Sequence, residues 1–201
     1  MTAILDVADQ VLGSTAIEDF SLLAVAKAAG MPNASIYHFF PSAEAVLVGL
    51  LRRYLAAMDV LIADAISGAP AMDWQKFVRH LFEIIRTFYA DNPRAARLVL
   101  QVGGFGGLQL VDDEHIADMA SFAMEAFEAR FHLPLIEDSH RRVAIAIAVS
   151  DRIWSMDVHE GQVSDFVFDE SQRMIISYLA NFLPSILARR EPLLPKLGGT
   201  R

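Results

Sequence analysis

The chain has 201 residues, 54% of them hydrophobic and 21% charged, with a formal net charge of −8. That is apolar material enough for one compact domain or two small fused ones, and the lack of cysteine excludes a disulfide framework and a thiolate metal site. Asp6 and Asp9 interrupt the N-terminal apolar residues, unlike a secretory leader, and the longest uniform apolar run of the C-terminal half, Val143–Val149, is far short of the ~18–20 residues that span a bilayer. A soluble cytoplasmic protein that uses no membrane is therefore expected.

The spacing is helical from the start. Ala3–Leu12 puts Ile4, Leu5, Ala8, Val11 and Leu12 on one face and stops at Gly13. Ser21–Ala29 does the same with Leu22, Val25, Ala26 and Ala29, and stops at Gly30. Asn33–Phe40 is short and ends at Pro41. Ser42 is a candidate N-cap, with Glu44 in the first turn beside the positive helix end. From there Val46, Leu47, Leu50, Leu51, Tyr54, Leu55, Met58, Leu61 and Ile62 form one apolar stripe. Ser67-Gly68-Ala69-Pro70 reads as its stop, which predicts a helix of about 25 residues.

Further helices are expected at Trp74–Ala90, Pro93–Gln101, Asp112–Phe131, Glu137–Asp157 and about Phe166–Arg189. Val102–Leu110, with four glycines, reads as a loop that gives a pocket wall or entrance mobility. It lacks the strand and the Lys-Ser/Thr of a phosphate cradle. Pro134 and Gly161 separate the last three helices, and Pro184 predicts a kink or an early end in the last one. The tail Glu191–Arg201 is expected to fray. No strand-like alternation of any length occurs, so the fold class is all-α.

Residues 21–40 have the parts of a helix-turn-helix. Ala26 is small enough for a close crossing, and Gly30 permits a sharp turn. Met31 and Ile36 can fill the gap between the helices. Pro32 and Asn33 open the next helix, where Pro is tolerated and Asn caps well. The exposed face then carries Asn33, Ser35, Tyr37 and His38.

Here the sequence resembles the TetR family of bacterial repressors. The likeness runs through Ile4-Leu5-Asp6-Val7-Ala8, Ser21-Leu22, Val25–Gly30, the specific stretch Ser35-Ile36-Tyr37-His38-Phe39-Phe40-Pro41-Ser42, and Glu44-Ala45-Val46-Leu47, about a quarter of the chain. It implies a DNA-binding unit over residues 1–48, an effector-binding and dimerising unit over 49–190, and a flexible tail over 191–201. It also implies that the third helix enters the major groove. Ser21 would touch a phosphate, Asn33, Ala34 and Ser35 would face bases, and Tyr37 and His38 would touch the backbone, with Lys27 on the same DNA-binding unit. Three features depart from the family pattern. Ala43 stands where a lysine is common, Phe20 where a small hydroxyl residue is usual, and only Met1–Ala3 precede the first helix. Residues 1–55 hold Lys27, Arg52 and Arg53 against Asp6, Asp9, Glu18, Asp19 and Glu44, which predicts weak, salt-sensitive DNA binding with few counterions released.

The resemblance further implies a homodimer, formed through residues about 137–157 and 166–189. The all-round apolar run Val143–Val149 and the stripe Ile175, Leu179, Phe182, Leu183 and Ile186 supply a physical basis. For a small apolar or aromatic effector the candidate residues are Phe77, Leu81, Ile84, Phe88, Phe105, Met119, Phe122 and Trp154, in a chain with thirteen Phe and eight Met. No cofactor and no metal are expected. Asp112-Asp113-Glu114-His115 reads as a solvated acidic helix start, because consecutive helix residues do not converge on an ion. No nucleophile elbow or zinc-protease motif is present, so an enzyme is not expected. The expected function is a repressor of operator DNA that its effector releases, moving through a lever at Glu44–Ile66. The alternative is a helical small-molecule-binding or scaffold protein of the same fold without DNA activity.

Overall fold

The structure is a computed structural model that describes residues 2–100 and 106–190. Over these residues the chain is all-helical: α1 (Thr2–Ser14), α2 (Leu22–Ala28), α3 (Asn33–Phe39), α4 (Ala43–Gly68), α5 (Trp74–Asp91), α6 (Pro93–Leu100), α7 (Gly106–Arg130), α8 (Ser139–Ser155) and α9 (Asp165–Leu179). Two isolated bridges, Phe131 with Arg189 and His159 with Gln162, are the β-type pairings among them.

Helices α1–α3 pack on one another and on the first half of α4. The apolar periods drive this: Ile4, Ala8 and Leu12 of α1, Leu22, Val25 and Ala26 of α2, and Ile36 of α3 are buried together. Ile36 is fully enclosed, worth roughly 2–3 kcal/mol of burial. Phe20, at the position where the family favours a small hydroxyl, is also buried and closes this small core.

Helix α4 then runs unbroken into the larger unit, so the expected boundary after residue 48 falls inside it. Ser42 caps it as expected, its Oγ accepting from the Ala45 N–H at 3.1 Å. The predicted stripe is buried except at Leu61, which is 40% exposed. Over so long a helix a stripe at spacings of three and four drifts around the axis, and Ile62 takes the inward position. At the far end Arg130 of α7 donates to the Ile66 and Ala69 carbonyls, where the helix runs out of backbone donors.

The larger unit packs α7 against α4 and α8, with α5 between α4 and α9. Two aromatic clusters fill it. Phe77, Phe127 and Phe131 meet with ring centroids 5.3–6.2 Å apart. Phe82, Tyr89, Trp154 and Phe168 form the second, where the Trp154 indole donates to Ser171 Oγ at 2.8 Å.

Three expectations change. The glycine run does not end as a loop at Leu110, because Gly106 and Gly107 already open α7. The cause is Glu44: the Gly107 N–H donates to its Oε1 at 2.6 Å, a carboxylate on the positive end of a helix. A Cβ on residue 107 would lie 2.8 Å from that oxygen, so the approach needs glycine. Asp112–His115 is consequently one to two turns inside α7 rather than a helix start. Only Asp113 and Glu114 are exposed. The last helix stops at Leu179, before Pro184, and irregular chain follows. The expected parts of the glycine loop at 102–105 and the tail at 191–201 lie outside the described residues.

Candidate nucleic-acid interface and internal cavities

The turn between α2 and α3 is built as its residues demand. Ser21 caps α2, with Oγ accepting from the Ala24 N–H at 3.3 Å. Gly30 takes φ +60, the left-handed conformation that closes a helix, and the Met31 N–H returns to the Ala26 carbonyl at 2.9 Å. Met31 packs partly buried on the core. Helix α3 starts differently from expectation: Pro32 occupies the cap position and no side chain caps the helix, so Asn33 is its first residue and stays exposed.

The outward face collects Asn33, Ala34, Tyr37 and His38, all exposed, with Ser35 half-buried beside them. Tyr37 is 51% exposed while its neighbour Ile36 is sealed in the core, so the tyrosine is a surface side chain. Lys27 is exposed near the end of α2. Residues 21–40 contain no acidic side chain.

Two acidic residues of the N-terminal unit are paired with arginines of other helices. Asp6 pairs with Arg53 of α4 at 2.6 Å. Asp9 takes Arg94 of α6 at 2.8 Å and accepts from the Tyr54 hydroxyl. Beside them Arg97 of α6 donates to the Leu12 carbonyl at 2.9 Å and the Thr15 carbonyl at 2.8 Å, at the end of α1. The three-helix unit is thus gripped from behind by α4 and α6. Sequence reading missed Arg94 and Arg97, because nothing local signals a partner some eighty residues away.

The larger unit contains an apolar cavity of about 110 Å³ between α5, α7, α8 and α9, walled by Leu81, Phe82, Met124, Phe127, Ile147 and Leu179. Phe182 and Leu183 also reach it, so four residues of the predicted C-terminal stripe line this cavity; Ile186 of that stripe is fully outward, at 84% exposure. Of the expected effector residues, Leu81 lines this cavity and Trp154 lines a small neighbouring one of about 70 Å³. Phe77 and Phe88 are buried in aromatic packing, and Ile84 packs on the core. Met119 and Phe122 border a separate groove between α4 and α7, and Phe105 lies outside the described residues.

The exposed apolar side chains of the last helices form two stripes. On α8 and just beyond it Ile145, Val149 and Met156 are 45%, 38% and 75% exposed, at spacings of four and seven. On α9 Phe166 and Met174 are 74% and 51% exposed. The all-round apolar run at Val143–Val149 is therefore explained by one side in the core, through Ala146, and another left open.

Comparison with known proteins agrees with this architecture. The family model for bacterial regulatory proteins of the tetR family matches residues 4–50. The HTH-type transcriptional regulator EthR of Mycolicibacterium smegmatis (strain ATCC 700084 / mc(2)155) is 33% identical over 95 residues, which is 47% of this chain and 43% of that protein. The chain thus matches less than half the length of this curated relative. A TetR-family transcriptional regulator from Streptomyces coelicolor superposes with a TM-score of 0.67 at 18% identity, over 90% of this chain and 98% of that one. The transcriptional regulator FadR from Bacillus subtilis, in complex with stearoyl-CoA, superposes with a TM-score of 0.59 at 15% identity, over 88% and 98%. No helix among the described residues is long and apolar enough to cross a membrane.

Proposed function

We propose that this chain, a member of the TetR family of bacterial regulatory proteins by its N-terminal module and its fold, is a ligand-responsive DNA-binding transcriptional regulator that acts as a dimeric repressor. The observation that carries this is the α3 face. Asn33, Ala34, Ser35, Tyr37 and His38 stand outward on a rigid turn, with no carboxylate among residues 21–40 to repel phosphate. Asn33, Ala34 and Ser35 read base edges, and Ser21, Lys27, Tyr37 and His38 hold the backbone. Residues 1–48 form this reading head, and residues 49–190 bind effector and the second subunit.

The open stripes at Ile145, Val149, Met156, Phe166 and Met174 supply the dimer face, since apolar side chains so placed gain by mutual burial. A two-fold dimer presents its two α3 helices to a palindrome about one DNA turn apart, ~34–36 Å. The effector has an apolar body that occupies the cavity between α5, α7, α8 and α9. FadR, with its bound stearoyl-CoA, is a precedent for a ligand with a long acyl chain in this fold. Effector binding shifts α4, and Glu44 and Arg97 carry the shift to the head. This requires the ligand to bind the two arrangements unequally.

A genomic binding-site selection with purified protein at low salt tests the proposal. It should enrich one palindromic motif. Tyr37→Ala should then weaken binding to that motif at least tenfold while dimerisation and melting stay as in the parent. Recovery of no motif, or unfolding of Tyr37→Ala, would refute it, the first pointing to the fold without DNA activity.

A further inference from the structure

Three hollows of the larger unit lie side by side. The apolar cavity and the small one beside it share Phe82, Ile147 and Ser150 as walls. The small cavity and a cleft of about 500 Å³ between α6, α7 and α8 share Asp151. Within that cleft Asp112 of α7 also lines the wall, alongside Val99 and Leu100 of α6. Asp151 and Asp112 are both half-buried, their carboxyl groups open to the cleft. Neither carboxyl has a hydrogen-bond or ion-pair partner among the described residues.

Two half-buried carboxylates in one cleft with no cation between them repel each other, so a cation placed there gains from both. The groups around them do not help. Asp113 adds a further negative charge on α7, α6 presents only apolar side chains to the pair, and the Tyr89 hydroxyl of α5 is held neutral by burial and by these two carboxylates. Arg152 borders the cleft but is exposed and donates to Ser155 Oγ at 3.2 Å. Burial, and then the neighbouring carboxylate, pushes Asp151 up to about 8, and burial pushes Asp112 up to about 6. Phe82 and Trp154 border the same small cavity as Asp151, and aromatic rings are compatible with a cation nearby. At the opposite end of the cavity series Arg142 is already engaged, donating to the Glu137 carbonyl at 2.9 Å and lying 4.0 Å over the Phe182 ring.

We propose that the effector is a cationic amphiphile, with an apolar body in the neighbouring cavities and an ammonium group held between Asp151 and Asp112. This rests on the assignment of these cavities to the effector. The head group exchanges with protons: as the ammonium enters, Asp151 ionises and releases one proton to solvent, so charge balances.

Octylammonium, octanol and octanoate share one tail and differ in head charge, which makes them the probes. Calorimetry in buffers of differing ionisation heat gives affinity and proton release together. Octylammonium should bind at least tenfold more tightly than octanol or octanoate at pH 9, release a proton on binding at pH 7, and bind more weakly as pH falls to 6. Asp151→Asn should cost octylammonium at least tenfold and leave octanol unchanged, which also shows that the variant is folded; Asp112→Asn should cost less. Tighter binding of octanoate, equal binding of all three, binding of none, or an unchanged octylammonium affinity in Asp151→Asn would overturn the proposal. No DNA enters these measurements. Selective octylammonium binding that fails to release operator would therefore sink the effector assignment and leave the cation site standing.

Discussion

Replacing Arg97 with alanine isolates the grip of α6 on the reading head. Its guanidinium donates to two carbonyls at the end of α1, Leu12 at 2.9 Å and Thr15 at 2.8 Å. The end of a helix leaves such carbonyls unpaired, and a cation there also meets the negative end of the helix. Hydrogen bonds from a charged donor are worth about 1.5–3 kcal/mol each. Both contacts are only part-buried, so water recovers a share of each after truncation, and a net loss of about 2 kcal/mol is expected. That corresponds to a roughly thirtyfold larger open population of the α1 region. Amide hydrogen exchange reads it directly: protection in α1 should fall by about that factor while α8 and α9 keep theirs. Arg97→Lys should recover only part, because one ammonium cannot span two carbonyls as a planar fork does. Unchanged α1 protection, or an equal fall through the whole chain, would show that Arg97 does not tie the head to the body.

Operator binding should respond to salt with a shallow slope, log K against log salt near −2 for a dimer whose subunits each bring Lys27 to a phosphate, at about −0.9 per phosphate neutralised; a titration giving a slope near −10 contradicts the charge distribution described above. Val149→Glu together with Phe166→Glu should yield folded monomers by sedimentation, since both side chains are outward and their loss opens no core; an unaltered dimer places the interface elsewhere. Stability should fall as pH rises from about 4 to about 8. Asp151 and Asp112 have folded-state pKa values raised to about 8 and about 6, so their contribution is complete below the unfolded value near 4 and is lost as pH passes through the raised values. Asp151→Asn should remove the decline between pH 6 and 8 in denaturant titrations, and an undiminished decline would exonerate Asp151.

Much of the reading head was legible because its signals are local. Gly30, Ile36 and Ser42 lie within a turn or two of the elements they bend, plug or cap, so a residue's type and its position in the sequence suffice to place it. The same holds for the long α4. What failed was set by distant chain. Gly106 and Gly107 read as loop because glycine costs about 1 kcal/mol in a helix, and only Glu44, sixty-three residues earlier, explains why α7 begins there. Ile175, Leu179, Phe182 and Leu183 were legible as an apolar stripe, but a stripe does not say whether a cavity or a partner covers it. Nor does either sequence neighbourhood of Asp112 or Asp151 announce that α7 and α8 will bring the two to one cleft.

The electrostatic objection to DNA binding loses force once charges are placed in space. Asp6, Asp9 and Glu44 are all engaged, by Arg53, by Arg94 and by the start of α7. Two of those three contacts use arginines, so cations and carboxylates cancel each other behind the head. Glu18 and Asp19 remain exposed, before α2 rather than on α3. The face is therefore near neutral, not acidic. A neutral face has little of the sequence-independent attraction that supplies most non-specific binding. Its affinity must come from base-edge contacts, from the tyrosine and histidine on the backbone, and from joining two heads in one dimer. Such a protein gives up non-specific affinity faster than specific affinity, so its ratio of the two is high even where its absolute binding is weak. An overall charge of −8 is thus compatible with the proposed operator recognition.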